Sequence, residues 1–92
     1  MRKIIDIETH ALFRMLERGS KLGLDYYETK NRAFKTVELE KGAKRKHLSR
    51  NHKTYYNYFD DNLSFYVICR KRTCEGYDKF VIMTVIIEKG RE

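Results

Sequence analysis

Apolar residues recur along this chain with two different periods, helical in the first half and alternating in the second. Residues 2–7 (RKIIDI) read as a short edge strand. In the THALFRMLERG segment that follows, Ala11, Leu12, Met15 and Leu16 make one apolar stripe at helical spacing. His10, Arg14 and Arg18 recur at i, i+4 and i+8 and make a second, polar stripe on one side of the same helix. Thr9 is a favourable N-cap, and Gly19 is placed to take the left-handed position past the helix end. Residues 20–23 (SKLG) read as a connector. Asp25 with Glu28 three residues later is an acidic version of the capping box, and it predicts a second helix over residues 25–41 that stops at Gly42. The apolar positions of that helix (Tyr26, Tyr27, Ala33, Phe34, Val37) are unevenly spaced, and its TVELE tail alternates in the manner of a strand.

After the middle of the chain the period becomes two. Residues 53–59 (KTYYNYF) and 63–70 (LSFYVICR) predict two strands joined through Asp60, Asp61 and Asn62 as a hairpin. Residues 71–77 make another turn around Gly76. Residues 78–88 (DKFVIMTVIIE) are apolar almost without interruption, which predicts a central strand covered on both faces. Two helices followed by a three-stranded meander, with residues 2–7 as a fourth strand, predict an α+β fold. In it two N-terminal helices pack on one face of a three- to four-stranded antiparallel sheet. The other face is expected to carry tyrosines and basic residues.

The chain has 92 residues, room for one core, and it reads as a single domain over 1–92. Its 20 Lys and Arg outnumber its 13 Asp and Glu, and the position of the excess changes the picture. Residues 41–53 hold six basic side chains (Lys41, Lys44, Arg45, Lys46, Arg50 and Lys53) and no acid, with His47 and His52 among them. The flanking segments are close to balanced. Dispersed charge would serve solubility equally well, so the concentration favours a polyanionic partner. Nucleic acid ranks before a membrane surface, because Ala43 and Leu48 are the only apolar residues of the run and make no apolar face. A phosphorylated small ligand is the remaining alternative.

No apolar run approaches the length that spans a bilayer, and Asp6 and Glu8 interrupt the N-terminus before an export signal forms. The chain is therefore expected in the cytoplasm, with Cys69 and Cys74 as reduced thiols. Those two cysteines have no second Cys or His pair beside them, so neither a metal nor another cofactor is expected. Abundant Lys, Arg and Glu with no Gln point to a heat-loving source, while the absence of Pro runs against it.

The helix carrying Thr9, His10, Ala11, Arg14, Arg18 and Gly19, followed by a second helix and by strands ending in Val81, Ile82, Thr84 and Val85, resembles a known pattern. It is that of a prokaryotic family of small domains of unknown function, grouped with the barnase–EndoU–colicin–RelE superfamily of RNases. The resemblance covers most of the chain, and residues 44–59 add basic residues and tyrosines to it. It implies a RelE-like fold and a toxin-like, metal-independent endoribonuclease acting on single-stranded or ribosome-associated RNA. It also implies a possible antitoxin as protein partner.

Cutting RNA without a metal needs a base for the ribose 2′-hydroxyl, an acid for the leaving oxygen and cations for the crowded phosphorus. His10 and His47 are the candidate acid–base residues, each beside positive charge that favours the neutral imidazole, and Arg14 and Arg18 are the candidate transition-state cations. A helix-start histidine and an ordinary Arg14–Glu17 surface pair are the plain alternatives. Lys44, Arg45, Lys46, Arg50, His52, Lys53 and Arg70 are candidate RNA contacts, with Tyr56 and Tyr58, which share a strand face, as stacking platforms. The plain alternative for the tyrosines is a core position. A non-catalytic RNA-binding module and an interaction protein that docks an acidic partner, such as an antitoxin tail, stay open beside the enzyme. The edge at residues 2–7 offers a route to a dimer.

Overall fold

The computed structural model describes residues 2–44 and 51–92. Among the described residues six elements follow one another: β1 (Arg2–Ile7), α1 (Thr9–Lys21), α2 (Tyr26–Leu39), β2 (His52–Tyr58), β3 (Leu63–Cys74) and β4 (Tyr77–Lys89). The strands form one sheet in the order β1-β4-β3-β2, so β4 is central as its apolar run predicts. The β2–β3–β4 meander is antiparallel.

The first strand corrects the expectation of a purely antiparallel sheet. It runs parallel to β4, with Arg2 opposite Tyr77 and Ile7 opposite Ile82. The cause is the helical hairpin. The C-cap residue of α2, Glu40, lies 2.9 Å from Lys3 at the start of β1, so the helices return the chain to the end from which β1 set out. A meander that starts there has its first and third strands parallel to β1, and the third is the one beside it. The fold is thus α+β with a mixed sheet.

The two helices start differently, and both end at residues with local causes. Thr9 is the first helical residue and not the cap; Glu8 precedes it in extended conformation, with no side-chain capping bond. Asp25 does cap α2, accepting from the Glu28 N–H at 2.8 Å. The second helix stops at Leu39, short of residue 41, because Glu40 adopts a left-handed conformation at φ 47°. Gly42 instead bridges to Tyr55 at the outer edge of β2. Gly19 lies inside α1 and is needed for close approach: a Cβ there would collide with the side chain of Thr29 on α2. The left-handed glycine that follows the helix is Gly23, at φ 82°.

The helices cover one face of the sheet. Met15 of α1 and Ala33 and Val37 of α2 pack on Tyr55, Phe65, Val67, Cys69, Phe80, Ile82 and Val85. Each such large apolar side chain contributes about 1.5–3 kcal/mol on burial. A β-bulge explains why β4 reads as continuously apolar. Ile68 pairs with Thr84 but Cys69 pairs with Ile82, so Met83 is an extra residue and the inward set passes from Phe80 and Ile82 to Val85 and Ile87. The expected cover on both faces is replaced by this shift of parity. On the outer face Ala43, Tyr56 and Tyr66 form a second, smaller cluster with Tyr58 and Ile86 against it. Among the described residues no helix is long and apolar enough to cross a membrane.

Candidate functional site

Two clusters of positive side chains lie along β4. The first arises where β1 ends. The Glu8 N–H donates to the Ile82 carbonyl at 3.1 Å, and α1 continues beside the part of β4 that β1 leaves unpaired. The polar stripe of α1 therefore meets the bulge. His10, Arg14 and Arg18 line a pocket of about 130 Å³ with Ala11, Met83 and Thr84. Arg18 is half-buried and donates from Nη1 to the Val85 carbonyl at 2.5 Å, which caps an edge carbonyl of β4 and fixes the guanidinium. His10 and Arg14 are exposed. Glu17 lies 3.9 Å from Lys21, while Arg14 forms no ion pair with a described carboxylate. Among the described residues no carboxylate lines the pocket, so it is suited to an anion.

The second cluster arises where β2 begins. His52 sits opposite Arg70, but β3 continues to Cys74 in register with β4. Among the described residues the sheet is one strand narrower beyond Arg70, and the step holds a groove of about 840 Å³. His52, Lys53, Arg70, Arg72, Lys79 and Val81 line it together with Lys71. Lys71 has a partner: its Nζ lies 3.1 Å from Glu40 and stands over the Phe80 ring. Lys53, Arg70, Arg72 and Lys79 form no ion pair with a described carboxylate. Glu40 itself is held below the usual carboxylate range, first by the Lys3 ammonium and then by Lys71.

The structure thus brings His10, Arg14 and Arg18 together, and separately gathers His52, Lys53 and Arg70. It removes Tyr56 from the expected contact surface. That ring is 4% exposed and packed on Tyr66, with its hydroxyl 3.0 Å from Ser64 Oγ, so it offers no face to a base. Tyr58 is half-buried under the Arg91 guanidinium and donates to Asn62 Oδ1 at 2.6 Å. Lys44 is exposed, its backbone N–H bonded to the Glu92 carboxylate. Arg45, Lys46, His47 and Arg50 lie outside the described residues.

Sequence reasoning missed Arg72 because residues 71–77 read as a turn, and with it the cross-strand partner that marks Lys79. The available signal was the Arg70–Arg72 spacing, which places two guanidiniums on one face if the strand continues past residue 70. Cys69 and Cys74 are both free thiols, and burial pushes the Cys69 thiol up to about 12. Among the described residues no group of three or more His, Cys, Asp or Glu side chains is placed to hold a metal ion. Comparison with family models, with curated proteins and with solved structures gives no match to this chain.

Proposed function

We propose that this protein is a toxin-like, metal-independent endoribonuclease of RelE-like architecture that acts on single-stranded or ribosome-associated RNA. The observation that carries the reading is the convergence of His10, Arg14, Arg18 and Thr84 on one carboxylate-free pocket. His10 takes the proton of a ribose 2′-hydroxyl. The freed oxygen forms a bond to the neighbouring phosphorus as the bond to the 5′-oxygen breaks, and water supplies the proton to that leaving oxygen. Arg14 and Arg18 offset the negative charge that grows on the phosphoryl oxygens. The products are a 2′,3′-cyclic phosphate and a 5′-hydroxyl.

The test is incubation of purified protein with end-labelled RNA in EDTA, with naked RNA and with translating ribosomes as parallel substrates. Cuts ending in cyclic phosphate that fall at least about a hundredfold in His10→Ala support the reading, since a positioned acid–base group contributes roughly 10²–10⁴ in rate. Cuts unchanged in that variant move the base to another residue, and His47→Ala, run beside it, checks the second histidine. No cuts on either substrate leave a non-catalytic RNA-binding module. One observation favours that second reading: His10 is the single imidazole lining this pocket among the described residues.

A further inference from the structure

The groove at the step beside β2 contains an arrangement that fold stability alone does not account for. Arg72 and Lys79 are directly opposed across β3 and β4, and Arg70 lies two residues from Arg72 on the same face of β3. Like charges directly opposite one another on a sheet are destabilising, and an acid at either position 72 or 79 would remove the repulsion. Local choices that oppose the fold in this way mark sites where another constraint is acting. Among the described residues no carboxylate lines the groove or pairs with Lys53, Arg70, Arg72 or Lys79.

The bulge in β4 ties this groove to the His10 pocket. Val81 lines the groove and pairs with Arg70, whereas Thr84 lines the pocket and pairs with Ile68. Residues 68 and 70 face the same way on β3, so Val81 and Thr84 also share a face, although three residues apart. A regular strand would have put them on opposite faces. Their partners Ile68 and Arg70 are two residues apart, so the separation along the strand is about 7 Å at roughly 3.3 Å per residue.

We propose that the groove is a phosphate-backbone track that holds an unpaired RNA strand on one side of the His10 pocket, through Arg70, Arg72 and Lys79. This rests on the endoribonuclease reading for the identity of the polyanion, and it adds a length requirement to that substrate. The substrate is an unpaired RNA several nucleotides long, and a dinucleotide engages only the pocket. The guanidinium forks of Arg70 and Arg72 match phosphate oxygens two at a time.

The experiment measures binding of a labelled, unpaired RNA dodecamer across a salt series, for the wild type, Arg72→Glu, Lys79→Ala and the control Lys35→Ala. Arg72→Glu replaces a like-charge pair by an opposite-charge pair, so its unfolding midpoint is not lowered and a loss of binding cannot be ascribed to misfolding. Each single-strand phosphate that a cation neutralises contributes about 0.7 to the slope of log affinity against log salt, so each groove variant flattens the slope by about that much. The same relation makes binding about fivefold weaker at 0.1 M salt for each phosphate that a variant no longer engages. Lys35→Ala, an exposed change on α2 outside both concavities, stays near the wild type in dodecamer affinity. Groove variants that bind like the wild type overturn the proposal, as does a wild type that does not bind the dodecamer. Polyglutamate of equal charge that competes as well as RNA reassigns the groove to an acidic protein. Groove-dependent binding without any cutting defeats only the endoribonuclease reading, and cutting with neutral groove variants defeats only the track.

Discussion

Arg32 and Arg72 are the same residue type in opposite situations. Arg32 on α2 lies 2.6 Å from Glu28 and 2.7 Å from Asp61, stacks on the Phe59 ring, and is only 15% exposed. Lys3 and Lys71 are held likewise by Glu40, which joins the end of α2 to β1 and β3. These cations link one element to another. Arg72, with Arg70, Lys53, Lys79 and Arg14, has no described carboxylate partner and faces a concavity. A cation paired on arrival is part of the scaffold, and one that faces only other cations is available to a ligand.

The largest test of that division is removal of one member of each class. Arg32→Ala takes away charged hydrogen bonds from a mostly shielded position and is expected to cost roughly 1–3 kcal/mol in urea unfolding. Arg70→Ala, an exposed change, is expected within about 0.5 kcal/mol of the wild type while RNA binding weakens. Equal losses of stability in the two would erase the division.

Acid sharpens it. Glu40 and Asp61 are both held below their ordinary values of 4.5 and 3.8, by Lys3 and Arg32 respectively as the leading cause. A lowered folded-state pKa gives stability that is complete above the unfolded pKa and is lost as pH falls through the folded one. The thermal midpoint is therefore expected to hold down to about pH 4.5 and to drop below it. Glu40→Gln is expected to flatten the upper part of that drop. An unaltered acid limb in Glu40→Gln would show that the Lys3–Glu40–Lys71 link adds nothing to stability.

The layer arrangement was legible because it rests on local periodicity: Met15 and Ala11 at helical spacing, Tyr55 alternating with Tyr56, and Asp25 with Glu28 as a cap. The direction of β1 was not, because no residue within 2–7 encodes it; it follows from where α2 ends. The bulge at Met83 was hidden for a related reason. An extra residue in a strand turns alternation into a continuous apolar run, the same signal as burial on both faces. The His10 stripe was readable, since i, i+4 and i+8 fix one helix side whatever packs against it. Arg72 and Lys79 were not, because their opposition depends on how far β3 extends beyond β2.

The smallest expected effect is also the most specific. If Arg72 and Lys79 repel each other across the strands, Arg72→Glu and Lys79→Glu should each stabilise the protein by about 0.2–1 kcal/mol, the range of a cross-strand pair. Each reversal also lowers the net charge by two, from +7 to +5 and then to +3 in the double variant, which relieves general self-repulsion. The double variant separates the two causes. General relief predicts that Arg72→Glu with Lys79→Glu is more stable than either alone. Direct repulsion predicts that it falls back toward the wild type, because two carboxylates then face each other, and the cycle shows a coupling energy of the opposite sign to the single gains. Additive gains would mean that the side chains already diverge into solvent. The groove would then carry its charge at no local cost, and the energetic argument for an anionic occupant would rest on charge concentration alone.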